Sequence, residues 1–271
     1  METQCTPALF VGKSRKNIIF ESPSLCLERF EYTSSIDGTK DWFVYHHEGT
    51  GKDCILILHG HGSHGDQLLK KPEWIALWER NVKKYNCNLL SPNLRDDAWM
   101  CPAAADDLTM ILKAGLREKL WRRIIIIAGS MGASGGLIYA MRHPELIAGI
   151  AALGAATDIK SYQLWCDTQP LPVHKSISDA IKAHYHSDAD YQLNSVLEHA
   201  EKLTMPVWFS HGGEDATIPV SQARALAEKM AGKKNFYYEE IPGGDHNSPL
   251  PFKERSIEAI YNYLDDGSNS F

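Results

Sequence analysis

The run Ile124-Ile125-Ile126-Ile127 constrains this chain most: it is wholly apolar, too short to cross a bilayer, and leads directly into Ala128-Gly129-Ser130-Met131-Gly132-Ala133 and a helical stretch. A strand followed at once by a helix requires a sharp turn between them. The segment Cys54 to Leu58, which follows Gly49-Thr50-Gly51, is likewise continuously apolar, as expected of a strand covered on both faces.

The rest of the chain extends this pattern. Leu25 to Thr33 and Asp41 to His47 flank Ile36-Asp37-Gly38-Thr39, whose Asp-Gly pair signals a hairpin, so the sheet opens antiparallel. Further strands are predicted at Cys87 to Ser91, Arg123 to Ala128, Ile147 to Leu153, Pro206 to Ser210 and Phe236 to Ile241. Helical stretches alternate with them at Pro72 to Tyr85, Ala103 to Leu120, Gly132 to Arg142, Ser221 to Met230 and Phe252 to Leu264. The result is an α/β fold with a mostly parallel eight-stranded sheet and helices on both faces. Trp74, Leu77, Trp78 and Val82 recur at helical spacing and read as a core stripe rather than a ligand cage. Residues 1–24 read as an N-terminal extension and 25–271 as one domain. From about 155 to 203 the alternation stops in a segment rich in Tyr, Trp, His and Pro, an insertion placed to form a small cap.

Lys and Arg total 28 against 34 Asp and Glu, a formal charge of -6, and no basic run is present to follow a phosphate backbone, so nucleic acid is not an expected partner. No apolar run has the length of a membrane span, and the first residues lack the basic and apolar regions of a secretory signal. Six scattered cysteines (Cys5, Cys26, Cys54, Cys87, Cys101, Cys166) without a CxxC pair read as incidental thiols, pointing to the cytoplasm.

The turn after Ile127 has the context of a nucleophile elbow, in which a strained backbone lifts Ser130 above the sheet and small neighbours let strand and helix approach. Ala128 stands where such a motif usually has its first glycine. A strict GxSxG recurs at Gly132 to Gly136, but Ser134 falls a turn inside the helix, where small residues serve close packing. A serine hydroxyl needs a base to remove its proton, and the base needs a carboxylate to fix its tautomer. Asp215, in the polar loop after Trp208-Phe209-Ser210, and His246, on the glycine-rich loop Pro242 to Asn247, supply both in the order Ser, Asp, His. Glu214 and Asp158 are rival acids, and Asp245 reads as a turn residue.

Together, these elements resemble the α/β-hydrolase superfamily over residues 25 to 265, in its esterase, prolyl-oligopeptidase-like and dienelactone-hydrolase-like branch; Ser34 to Thr39 before a strand carries that finer likeness. The resemblance implies a cofactor-independent serine esterase, with Ser130 as nucleophile, His246 as base and Asp215 as its partner. It also implies an oxyanion hole from the Met131 N–H, which gains from the helix dipole, and from the loop His59-Gly60-His61-Gly62-Ser63, where the His61 N–H is the expected donor and Gly62 the alternative. Tyr162, Trp165 and His174 in the insertion are candidate substrate contacts. The expected substrate is a small-molecule ester, aliphatic, aryl or carbohydrate-linked. Three other readings compete: a small serine peptidase, a non-catalytic hydrolase-fold binding protein, and a zinc hydrolase using His59, His61 and His64, whose pattern lacks the usual Asp before the third histidine.

Overall fold

The computed structural model describes residues 17–265 and 271. Among them nine strands form one sheet: β1 (Ile18–Glu21), β2 (Cys26–Thr33), β3 (Lys40–His46), β4 (Lys52–Leu58), β5 (Asn88–Pro92), β6 (Trp121–Gly129), β7 (Gly149–Leu153), β8 (Val207–Gly212) and β9 (Phe236–Ile241). Their spatial order is β1-β2-β3-β5-β4-β6-β7-β8-β9. Pairings from β1 through β3 to β5 are antiparallel and those beyond are parallel. The count exceeds the predicted eight because β1 lies within the segment read as an N-terminal extension. It is four residues long and its pairing with β2 is irregular, so its sequence carries too little alternation to register. The rest of that extension up to residue 16, with Cys5, lies outside the described residues.

Among the described residues eight α-helices accompany the sheet: α1 (Pro72–Tyr85), α2 (Pro102–Arg117), α3 (Met131–Arg142), α4 (Ile159–Asp167), α5 (Pro172–His184), α6 (Asp188–Leu193), α7 (Val220–Lys229) and α8 (Lys253–Asp265). The period of two in the strands divides their apolar side chains between two cores. Cys54, Leu56, Leu58, Ile124, Ile126 and Ala128 join one, closed by Leu108 and Leu112 of α2, Leu137 and Ile138 of α3, and Leu226 of α7. Ile55, Ile57, Ile125 and Ile127 join the other, closed by Leu77, Trp78 and Val82 of α1 and Ile257 and Ile260 of α8. Each fully buried Leu or Ile contributes about 1.5–3 kcal/mol, which explains why the central runs, residues 54–58 of β4 and 124–128 of β6, are apolar at every position.

The insertion after β7 folds as α4 to α6. Asp158 caps α4 by accepting the Ser161 N–H at 2.7 Å, and Ser187 and Asp190 form a capping box at α6. This layer is fastened below by the Tyr185 hydroxyl, which donates to the Trp99 carbonyl, and by the Asn194 amide, which donates to that of Met100. No described helix is long and apolar enough to cross a membrane.

Candidate active site

Strands β4, β6, β8 and β9 run parallel and end on the same edge, so the loops that follow them meet there. Ser130 follows β6 with φ 58° and ψ −128°, a backbone conformation that costs a non-glycine residue about 1–3 kcal/mol. Its neighbours hold it there. The Ser130 N–H donates to the Leu153 carbonyl at 2.9 Å. Two residues on, a Cβ at Gly132 would lie 2.2 Å from the Leu58 carbonyl oxygen, so only glycine lets α3 start this close to the end of β4. Ala128, by contrast, is simply buried in the core, and its methyl fits.

The loops after β8 and β9 are joined to each other. Gly213 N–H donates to the Ile241 carbonyl and Glu214 N–H to that of Gly244, and a Cβ at Gly212 would stand 2.2 Å from the Asp245 oxygen. This contact brings His246 over Ser130: Nε2 lies 2.9 Å from Ser130 Oγ, and Nδ1 lies 2.7 Å from Asp215 Oδ2. A carboxylate only accepts, so Nδ1 carries the proton and Nε2 is left to accept from the serine hydroxyl. Asp215 is itself fixed, because its Oδ1 accepts the N–H groups of Thr217 and Ile218 at 2.8 and 2.9 Å. Burial pushes its carboxyl pKa up, but donors from His211 and His246 and the Ile218 N–H outweigh that and hold it well below the usual carboxylate range. His211 was not a sequence candidate; its Nε2 donates to the Ile218 carbonyl at 2.9 Å and lies 3.3 Å from Asp215 Oδ2.

The rival acids serve elsewhere. Asp158 caps α4 and accepts from Ser195, Glu214 is exposed, and Asp245 closes its own turn by accepting from the N–H groups of Asn247 and Ser248. Ser134 is fully buried, and its Oγ accepts the Ala156 N–H at 2.8 Å.

The loop after β4 lies against the serine, with the position of a Gly60 Cβ 3.8 Å from Ser130 Cβ. Its amides are unequally occupied. Gly60 N–H donates to Gln67 Oε1 at 3.0 Å and Gly62 N–H to Asp97 Oδ1 at 2.7 Å, whereas that of His61 has no acceptor among the described residues. Met131 opens α3, so its N–H has no acceptor within the helix. The His61 ring reaches outward, with Nε2 2.9 Å from Ser176 Oγ on α5 and Nδ1 3.3 Å from Asp97 Oδ1. Burial lowers its pKa against the opposite pull of Asp97. Asp97 sits on a strained arm in which Leu94, Arg95, Asp96, Trp99 and Met100 all have φ between 48° and 62°. Arg95 braces the arm through Asp107 and Asp37, each at 2.7 Å.

The three histidines of the zinc reading point to separate partners: His59 to the Asn93 carbonyl at 2.7 Å, His61 to Ser176, and His64 to Asp96 at 2.9 Å. No group of three His, Cys, Asp or Glu side chains among the described residues is placed to hold a metal ion.

A cavity of about 210 Å³ opens beside Ser130, His246, Gly60 and His61. Its apolar wall comes from Ile57, Leu68, Trp74, Trp78, Ile127 and Leu250, and its other polar groups are Gln67, Asn247 and Lys253. Trp74 and Trp78 are thus both part of the α1 stripe and cavity wall, which corrects the reading of that stripe as core alone. Tyr162, Trp165 and His174 are not brought to this cavity. Tyr162 is fully buried with its hydroxyl on the Thr217 carbonyl, His174 binds the Ala216 carbonyl, and Trp165 packs between them, so the three brace the Asp215 loop from behind.

No family model and no curated protein matches the sequence. Solved structures do share the fold. The S-formylglutathione hydrolase from Agrobacterium tumefaciens superposes with a TM-score of 0.70 at 13% identity, over 92% of this chain and 99% of the other. The fluorophosphonate-binding serine hydrolase F of Staphylococcus aureus gives 0.66 at 15% identity, over 89% and 99%. A Mycobacterium tuberculosis puromycin-hydrolyzing peptidase gives 0.69 at 16% identity, over 90% of this chain and 40% of that longer one. The chain has the α/β-hydrolase fold.

Proposed function

We propose that this protein is a cofactor-independent serine hydrolase of small-molecule carboxylic esters. The observation that most supports it is the chain of contacts from Ser130 Oγ through His246 to Asp215, at 2.9 and 2.7 Å. In this reading Ser130 Oγ attacks the ester carbonyl as His246 Nε2 takes its proton, and ionised Asp215 stabilises the imidazolium. The developing oxyanion is met by the N–H groups of Met131 and His61, the second favoured over Gly62 because Asp97 already occupies the Gly62 N–H. His246 then protonates the departing alkoxide, and water repeats the sequence on the acyl-enzyme.

Esters are favoured over peptides. Apart from the site's histidines, the cavity wall carries one ionisable group, the cation Lys253, and no carboxylate to receive a peptide's amino terminus. An alkoxide also leaves with less protonation than an amine. We read the domain as beginning with β1 at Ile18 rather than at residue 25, with the cap at about 155–203, and place the protein in the cytoplasm because the described cysteines, among them buried Cys54, Cys87, Cys101 and Cys166, are unbridged. The test is a series of p-nitrophenyl acetate, butyrate and longer esters beside Ala- and Pro-p-nitroanilides, with Ser130→Ala as blank. Ester turnover lost in the blank, with anilide kcat/KM lower by orders of magnitude, supports the reading. Equal turnover of anilides overturns it in favour of a peptidase.

A further inference from the structure

Lysines are rarely buried without a partner, because an ammonium removed from water loses more than packing returns. Lys253, the first residue of α8, is 9% exposed and lines the same cavity as Ser130 and His246. It makes no ion pair among the described residues. Its Nζ lies 5.1 Å from the centre of the Trp74 ring, and the charge that acts on it is another cation, Lys71, whose Nζ stands 5.5 Å from the same ring. Burial, with Lys71, pulls the Lys253 ammonium down to about 8, so most of it remains charged at neutral pH.

The second polar group of the wall has the same bias. Gln67 is oriented by the Gly60 N–H, which its Oε1 accepts at 3.0 Å, and this leaves its Nε2 donors without an acceptor among the described residues. Asn247 adds an amide that can donate as well as accept, so the cavity offers an ammonium and amide N–H groups, with no carboxylate on its wall. A carboxylate, which only accepts, is the complement of that set. The cavity's volume of about 210 Å³ is below the ~300–1,000 Å³ of sites for drug-sized ligands, and the wall that serine and lysine share is mostly apolar, with Leu68, Trp74, Ile127 and Leu250.

From this arrangement we infer that the ester this site takes carries a free carboxylate, held by Lys253, on a short apolar group lodged in the cavity, as in a half-ester of a small dicarboxylic acid. The inference rests on the esterase reading and deepens it by naming the substrate class. Lys253 is a specificity residue that binds the far end of the substrate and takes no part in proton transfer.

Two probes place the carboxylate on either side of the ester bond: monoethyl glutarate against ethyl valerate on the acyl side, and 4-carboxyphenyl butyrate against phenyl butyrate on the alcohol side. The wild type should prefer one anionic ester over its neutral partner by about 10- to 100-fold in kcat/KM, mainly through KM, as a buried charge-assisted contact provides. Lys253→Met should bring that ratio close to one, and Lys253→Arg should restore part of it. A binding measurement needs no turnover: Ser130→Ala protein should bind glutarate calorimetrically with a Kd of about 1 mM or tighter, and Ser130→Ala/Lys253→Met should not. If neutral esters are hydrolysed through Ser130 as well as the anionic ones, the esterase reading stands and this inference falls. It falls equally if glutarate fails to bind, or if binding or preference survives Lys253→Met.

Discussion

An ammonium held in a cavity without a carboxylate makes the folded state less stable, and Lys253→Met isolates that cost. The side chain is 9% exposed, and its ammonium falls from an ordinary 10.5 to about 8 on folding. At ~1.4 kcal/mol per pH unit this is a penalty of roughly 3 kcal/mol wherever the lysine is charged in both states. Methionine keeps the length and fills the space, but it gives up the cation–π contact with Trp74, about 1–2 kcal/mol at a desolvated site. The variant should therefore gain about 1–2 kcal/mol at pH 7. The sign with pH follows from the depressed value: between about 8 and 10.5 the unfolded chain binds a proton that the folded one has released, so wild-type stability rises relative to the variant across that window. The assay is urea denaturation of both proteins at intervals from pH 7 to 10.5, reading the difference in midpoint at constant slope. A variant less stable than wild type at pH 7, or a difference that does not shrink above pH 8, would show that the buried ammonium does not destabilise the fold. It would mean that Lys253 has a stabilising partner in the fold.

Asp97→Ala frees the Gly62 N–H and loosens the loop that carries His61, so kcat on p-nitrophenyl butyrate should drop about tenfold with little change in KM; an unchanged kcat would detach Asp97 from the oxyanion loop. Asp215→Asn should lower kcat by about 10⁴ while the far-ultraviolet spectrum stays near wild type, and a mild loss would transfer the acid role to another carboxylate. Ser134→Ala leaves the buried Ala156 N–H without its acceptor, at a cost of about 1–3 kcal/mol in denaturation, yet a fluorophosphonate should still label the protein at Ser130. Labelling that disappears in Ser134→Ala and survives in Ser130→Ala would exchange the two serines.

Where a functional group hangs from the end of a strand, its place could be read from local pattern. Ser130, Asp215 and His246 each follow a predicted strand within a few residues, and parallel strands deliver their loops to one edge. The cavity wall was not legible in the same way. Its residues come from the turn at Gln67 and Leu68, from α1, from the buried strand ends at Ile57 and Ile127, and from Leu250 and Lys253, and only the packing of α1 and α8 on one face of the sheet brings them together. A lysine at a helix start reads as solvated, and nothing local to Pro249-Leu250-Pro251-Phe252 says otherwise except that so apolar an approach must be covered. The aromatic insertion misled in the opposite direction. Tyr162, Trp165 and His174 have the composition of a binding site, but the Tyr162 hydroxyl and His174 Nε2 are used on the carbonyls of Thr217 and Ala216, and Trp165 packs between the two rings. His211 was hidden because a histidine inside a strand carries no periodic signal, although its spacing from Asp215 placed it within reach.

The central claim is that Ser130 forms the acyl-enzyme with His246 as its base. Mixing the protein with p-nitrophenyl acetate in a stopped-flow instrument, quenching in acid and mapping the peptides by mass spectrometry tests it directly. One added acetyl group is expected, on Ser130, absent in Ser130→Ala and formed orders of magnitude more slowly in His246→Ala. An acetyl group found on Ser134 or elsewhere, or hydrolysis that continues in Ser130→Ala, would contradict it.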